Sequence, residues 1–175
     1  MLLKLLLLNN KYRKRLCQLT ESFFVLKNRA MKIKQTRNTL SNTYLDAMKI
    51  RQIVFVKGQG VPLSLEIDEN EAYCLHFVLY NDLGNAVATC RILPNQDHSK
   101  ATLQRMAVLP DQQGKHLGKH LLEEVITFCK QQGFKEMILH AQLTAKGFYD
   151  KLGFIPFGEE FEEAGIQHIS MMKTL

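Results

Sequence analysis

No two of the four cysteines, Cys17, Cys74, Cys90 and Cys129, form a C-x-x-C pair. They sit in apolar or mixed segments and read as reduced, mostly buried thiols of a cytoplasmic protein, with an extracellular disulfide pair the other reading of the same spacing. Nor does any apolar run approach the ~18 residues that cross a bilayer. The most apolar stretch, "MLLKLLLL" at Met1 to Leu8, precedes the basic run Lys11 to Arg15, the reverse of the order in a signal peptide. An excess of either charge is also missing beyond residue 30. Residues 31–175 hold sixteen Lys or Arg and sixteen Asp or Glu, whereas residues 1–30 hold seven basic residues against one Glu. That balance argues against a broad phosphate-backbone footprint, so neither nucleic acid nor a membrane is expected as a partner. The chain divides into a basic extension, residues 1–30, and one domain, residues 31–175, long enough to bury a full core. The extension reads as a dispensable tail or a start placed too early, with Met31 the true first residue; a membrane-surface helix or basic interaction arm is its other reading.

Ordered elements are written along the rest of the chain. A Ser41 N-cap opens an amphipathic helix with Leu45, Met48, Gln52 or Ile53, and Val56 on its apolar stripe, ending at Gly58. "GQGVPLSLEIDENEA", residues 58–72, reads as an ordered loop. Strands over 73–80 and 85–93 flank Asn81, Asp82, Leu83 and Gly84, a hairpin signature. A strand over 100–108 leads through "LPDQQGKHLG" into a helix with Leu117, Leu121, Val125, Phe128 and Cys129 on its core stripe and Gly133 as its stop. "FKEMILHAQ" reads as a short buried strand, "TAKGFYDKL" as a short helix and "IQHISMMKTL" as a last strand. The fold class expected is α+β: a mixed, mostly antiparallel twisted sheet flanked by helices, in a single domain.

The turn before the long helix is a natural anion site, because the first helical N–H groups are unpaired and the macrodipole is positive there. A P-loop frame ending at Gly118 and Lys119 fails, with Gln113 at the first glycine and His120 in place of Ser or Thr. A dinucleotide fingerprint starting at Gly114 fails at His116. The succession of strand, "VLPDQQGKHLG", helix, "ILHAQ" and "GFYDKLGF" does resemble the GCN5-related N-acetyltransferases, whose pyrophosphate loop follows [QR]-x-x-G-x-[GA]. Here that hexad is Gln113, Gly114, Lys115, His116, Leu117 and Gly118. "RQIVFVKGQGVP", "LHAQ", "FYDKLGF" and "GEEFEEAGIQH" further resemble the ElaA/YjcF-like branch. Two departures stand out. His116 replaces a central glycine and must avoid a left-handed backbone or carry its cost, and Gly58 stands where the branch has Glu.

The resemblance implies acetyl transfer from acetyl-CoA to a primary amine by direct attack in a ternary complex, with a small-molecule or peptide amine as acceptor, no metal, and a homodimer left open. It places the diphosphate on the amides of Gln113 to Gly118, with Lys115 adding charge, and the thioester oxygen on N–H groups freed by a strand bulge at Met106 and Val108, with Ala107 between them. Gln142 takes the place where the wider family has Asn, and Phe148 lies beside the cofactor. Tyr149 matches the family's proton donor. Phenol is a weaker acid than a thiol, so full transfer to sulfur is uphill by about 2 kcal/mol and a hydrogen bond to the forming thiolate describes the step better. Read alone, Tyr149 has a second reading as a core aromatic beside Phe148. Deprotonating a lysine-like amine at pH 7 costs about 4.6 kcal/mol, so a base is expected; Glu66, Asp68, His140 and His168 are the candidates, His140 and Glu66 first. His116 and His120 at i, i+4 lack the partner carboxylate of a zinc motif and read as a solvated helix face. Loss of Glu at position 58 leaves a second reading, an acyl-CoA-binding or sensor module with weak turnover.

Overall fold

The computed structural model describes residues 30–175; the expectations for the extension, and Cys17, lie outside them. Seven strands form one sheet in the order β1-β2-β3-β4-β5-β7-β6. They are β1 (Lys32–Thr36), β2 (Leu75–Tyr80), β3 (Ala86–Pro94), β4 (Lys100–Val108), β5 (Glu136–Gln142), β6 (Ile155–Glu163) and β7 (Ile166–Thr174). Every neighbouring pair is antiparallel except β4 and β5. A parallel pair needs a crossover, and helix α3 (Leu117–Gln131), between β4 and β5, supplies it. The expected α+β class, with a mostly antiparallel sheet and flanking helices, is what forms. Two strands were not among the expectations. β1 is a short edge strand, and β6 is almost wholly exposed with little alternation to reveal it.

The first helix, α1 (Asn42–Arg51), starts as expected at Ser41, whose hydroxyl accepts from the Tyr44 amide at 3.2 Å. It continues as a π-helical turn over Gln52–Lys57. The expected stripe is corrected: Leu45 and Ile53 are 47% and 41% exposed, and the buried face is Ala47, Ile50 and Arg51. A guanidinium in the interior was invisible to a search for apolar periodicity. In α3 the stripe holds, with Leu121, Val125 and Cys129 buried and Leu122 and Ile126 beside them. Gly133 follows with φ +86°, the left-handed stop that glycine takes without cost.

Alternation along the strands gives the sheet two faces. Phe77, Leu79, Cys90, Leu103, Met137 and Leu139 point with α3 into the main core. Val78, Tyr80 and Ala107 point to the other side, where Ala47 and Ile50 of α1 cover them. That second face also carries a buried polar network. The loop after α1 contains a short helix, α2 (Leu63–Glu66), which turns acidic side chains inward. Arg51 pairs with Glu66 and, at 2.7 Å, with Glu71. Arg91 pairs with Asp68 and, at 3.0 and 2.7 Å, hydrogen-bonds Asp68 and Glu71. Arg105 meets Glu66 at 2.9 Å and Asp68 at 3.1 Å. Three guanidiniums thus face three carboxylates, and His76 Nε2 lies 3.0 Å from the Glu71 carbonyl. Breaking one member of such a set leaves an uncompensated buried charge, a cost of about 3–5 kcal/mol.

The network makes the fold acid-sensitive. Burial holds His76 below its ordinary value of 6.5, so it stays neutral in the fold while the unfolded chain takes a proton. Burial raises Asp68 and Glu71, but their hydrogen bonds and charges with Arg91 and Arg51 outweigh it and leave both below their ordinary 3.8 and 4.5. In each case the unfolded chain binds more protons, so stability is present at neutral pH and lost as pH falls. The thermal midpoint should drop between pH 7 and 5.5 as the unfolded His76 protonates, and again below about pH 4.5. His76→Asn should flatten the upper step in a calorimetric pH series; a wild-type midpoint constant from pH 7 to 5.5 would contradict the account.

Candidate acetyl-transfer site

β4 and β5 share hydrogen bonds only from Lys100↔Glu136 to Leu103↔Leu139, although both strands continue to Val108 and Gln142. At the point where they part, β4 carries a bulge. Gln104 faces Arg91 and Ala107 faces Thr89, so two residues, Arg105 and Met106, stand opposite Cys90. Arg105 has φ +53°. Beyond the bulge the Leu109 amide donates to the Val87 carbonyl at 3.0 Å. Strand amides alternate sides, so Ala107 also faces β3, while the N–H groups of Met106 and Val108 face the gap toward β5. The Val108 carbonyl lies on that side too, where it accepts from the Gln113 side-chain amide at 3.3 Å.

The turn ahead of α3 lies beside the same gap. Gln113 donates its amide back to the Pro110 carbonyl at 3.4 Å, but none of the amides from Gly114 to Lys119 donates to a protein acceptor among the described residues. His116 takes φ 59°, ψ 11°, so the histidine carries the left-handed cost, about 1–2 kcal/mol. Lys115 folds back on its own turn, donating to the Asp111 carbonyl and Gln112 Oε1 at 3.0 Å each. At Gly118 the helix packs tightly over side chains of the strand. A Cβ there would stand 3.2 Å from Met106 Cε and Val108 Cγ2 and 3.7 Å from Phe148 Cζ. Absence of a side chain is therefore what lets the helix start sit directly over the gap.

A cavity of about 910 Å³ runs through the gap and joins the two faces of the sheet; Met106, Val108, Gly118, Phe148 and Tyr149 border it. Tyr149 lies in helix α4 (Lys146–Asp150), its ring edge-on to Phe148 and Phe154 at 5.0 and 5.9 Å. Its hydroxyl has no hydrogen-bond partner among the described residues. No sealed side-chain polar atom there lacks a partner, so that hydroxyl is open to the cavity. Burial, with Cys90 nearby, pushes the phenol well above its ordinary value of 10.0.

On the opposite face stand the remaining predicted residues. Gln142 joins Gln59 by paired side-chain amides at 3.1 and 3.4 Å, a bridge across the cavity mouth. His140 is half exposed, edge-on to Phe161 at 5.0 Å and 3.6 Å from Glu163 Oε2. His168, buried, stacks on the same Phe161. Its Nδ1 lies 2.8 Å from the Ile166 carbonyl; a carbonyl only accepts, so Nδ1 is the donor there, and in the neutral ring Nε2 is the acceptor. Glu66 as a base is corrected. It borders the cavity but is 2% exposed, with its oxygens held by Arg51 and Arg105. Asp68 is likewise engaged by Arg91 and Arg105. Sequence reasoning missed Arg51, Glu71, Arg91 and Arg105; the available signal was an arginine inside the otherwise apolar run "TCRIL" matched to acidic residues at 66–71.

A splayed parallel pair, a bulged strand and a bare-amide turn at a helix start are the features that the resemblance to N-acetyltransferases implied. The chain matches the acetyltransferase (GNAT) domain family over residues 55–175, and it belongs to that family. It is 36% identical over 129 residues to the uncharacterized N-acetyltransferase YjcF of Bacillus subtilis, covering 73% of this chain and 90% of that protein. A fission yeast protein, C11D3.02c of Schizosaccharomyces pombe, is 30% identical over 132 residues, 74% of this chain and 87% of that one. Among solved structures, Escherichia coli ElaA superposes with a TM-score of 0.72 at 27% identity, over 82% of this chain and 99% of that chain.

Gly118→Val tests the close approach. Its branched Cβ should push α3 off β4 and weaken acetyl-CoA binding at least about tenfold, or 1.4 kcal/mol, in titration calorimetry. An unchanged Kd would mean that the contact is not needed.

Proposed function

We propose that this protein is an acetyl-CoA-dependent N-acetyltransferase that modifies a primary amine by direct attack in a ternary complex, in the cytoplasm. One observation carries the reading: unpaired turn amides, unpaired strand amides and an open phenol all meet at one cavity. The amides of Gly114 to Lys119 and the α3 dipole hold the diphosphate. The Val108 backbone pairs with the extended arm of the donor as an added strand would. The Met106 N–H meets the thioester oxygen, and losing such a donor typically costs about 10² to 10³ in rate. The acceptor enters from the face bearing His140 and His168.

His168 is the better placed base, because its tautomer leaves Nε2 ready to accept. It takes one proton from the ammonium group, the free amine attacks the carbonyl carbon, the C–N bond forms and the C–S bond breaks. The second amine proton, lost as the amide forms, balances protonation of the departing thiolate, which the Tyr149 hydroxyl meets with a hydrogen bond. The high phenol pKa supports that role over full proton transfer.

Mixing the protein and acetyl-CoA with a panel of primary amines should release free thiol. Tyr149→Phe should lower kcat about a hundredfold while the calorimetric Kd for acetyl-CoA stays within about threefold. Acetyl-CoA binding without thiol release from any amine would favour a binding or sensor module instead.

A further inference from the structure

Arg105 occupies a left-handed backbone position, φ +53°, inside a strand. At such a kink glycine is the residue without steric cost, so an arginine there must be retained by what its side chain does. That side chain crosses to the loop after α1. Nη2 donates to the Leu65 carbonyl at 2.8 Å and to Asp68 Oδ2 at 3.1 Å. Nε lies 3.3 Å from the Glu66 carbonyl and 2.9 Å from Glu66 Oε2. The Leu65 and Glu66 carbonyls end helix α2, where cations are favoured. Arg51 and Arg91 in turn hold Glu66 and Asp68 from behind. The anchor is therefore rigid, and the next residue along β4 is Met106.

We infer that Arg105 is a positioning residue: its tie to α2 locks the β4 kink and thereby aims the Met106 N–H at the thioester oxygen. The inference rests on the acetyl-transfer reading of the site. Arg105 borders the cavity, but its guanidinium is engaged by the loop after α1, and the role assigned acts through the amide that follows it. It also links the acceptor-side loop to the donor-side amide, one tie among those that set the two halves of the cavity.

Three variants separate the side-chain tie from backbone strain. Arg105→Ala removes the tie and keeps the strain, Arg105→Gly removes both, and Arg105→Lys restores a cation without the planar fork. With the best amine from the panel, Arg105→Ala and Arg105→Gly should lose about 10- to 100-fold in kcat with KM for acetyl-CoA within about threefold, and Arg105→Lys should recover part of that loss. In ¹⁵N spectra, adding acetyl-CoA without acceptor should shift the wild-type Met106 amide downfield, and this shift should shrink in Arg105→Gly. If Arg105→Gly keeps wild-type kcat, or the acetyl-CoA-induced Met106 shift is undiminished in it, the assignment is overturned while the acetyl-transfer reading stands. If the wild type neither binds acetyl-CoA nor turns over, the acetyl-transfer reading falls, and the role of Arg105 with it. Should Arg105→Ala fail to fold, the glycine and lysine variants carry the same comparison.

Discussion

Past Leu103 and Leu139 the two parallel strands at the centre of the sheet stop sharing hydrogen bonds, and their backbones are left facing a gap. In a folded interior, unpaired amides are expensive unless water or a ligand satisfies them. A strand that keeps them in reserve needs another source of rigidity. Here it comes from two directions: β3 continues to pair with β4 on its far side, and the α3 start presses on β4 at Gly118. The gap stays open because β4 is held in these two ways while β7 pairs with β5 along its whole length on the other side.

The second support is electrostatic. Three arginines and three carboxylates beneath α1 and α2 form a set with no net charge. Such sets contribute little to stability compared with a well-packed apolar core of the same volume. Their worth is geometric, since each fork accepts only a narrow range of partner positions. In this protein the set fixes the loop after α1 against β3 and β4, the wall of the cavity that carries Glu66 and Asp68. It also engages Glu66 and Asp68, while the imidazoles of His140 and His168 on the same wall lie outside the set.

Much of this was legible from residue order. The Ser41 cap, the α3 stripe, the β2–β3 hairpin and the turn from Gln113 to Gly118 each depend on neighbours within a few positions, and local chemistry decides them. The α1 stripe failed because Arg51 is buried by partners fifteen and twenty residues away. β6 was missed because an edge strand with both faces wet has no alternation to display. Among the base candidates, residue type alone could not separate Glu66 from His168: both border the cavity, but only the first is inside an ion-pair network.

By itself the sequence determined the turn ahead of α3, because such a turn is made of backbone and needs only glycines at set spacings and a helix to follow. The tertiary structure decided the opposite wall of the cavity. Which carboxylate is neutralised, which imidazole nitrogen is free and how far β4 swings from β5 all depend on side chains brought together from distant segments, and pairing energies of that kind are written in distances between elements, which no local pattern encodes.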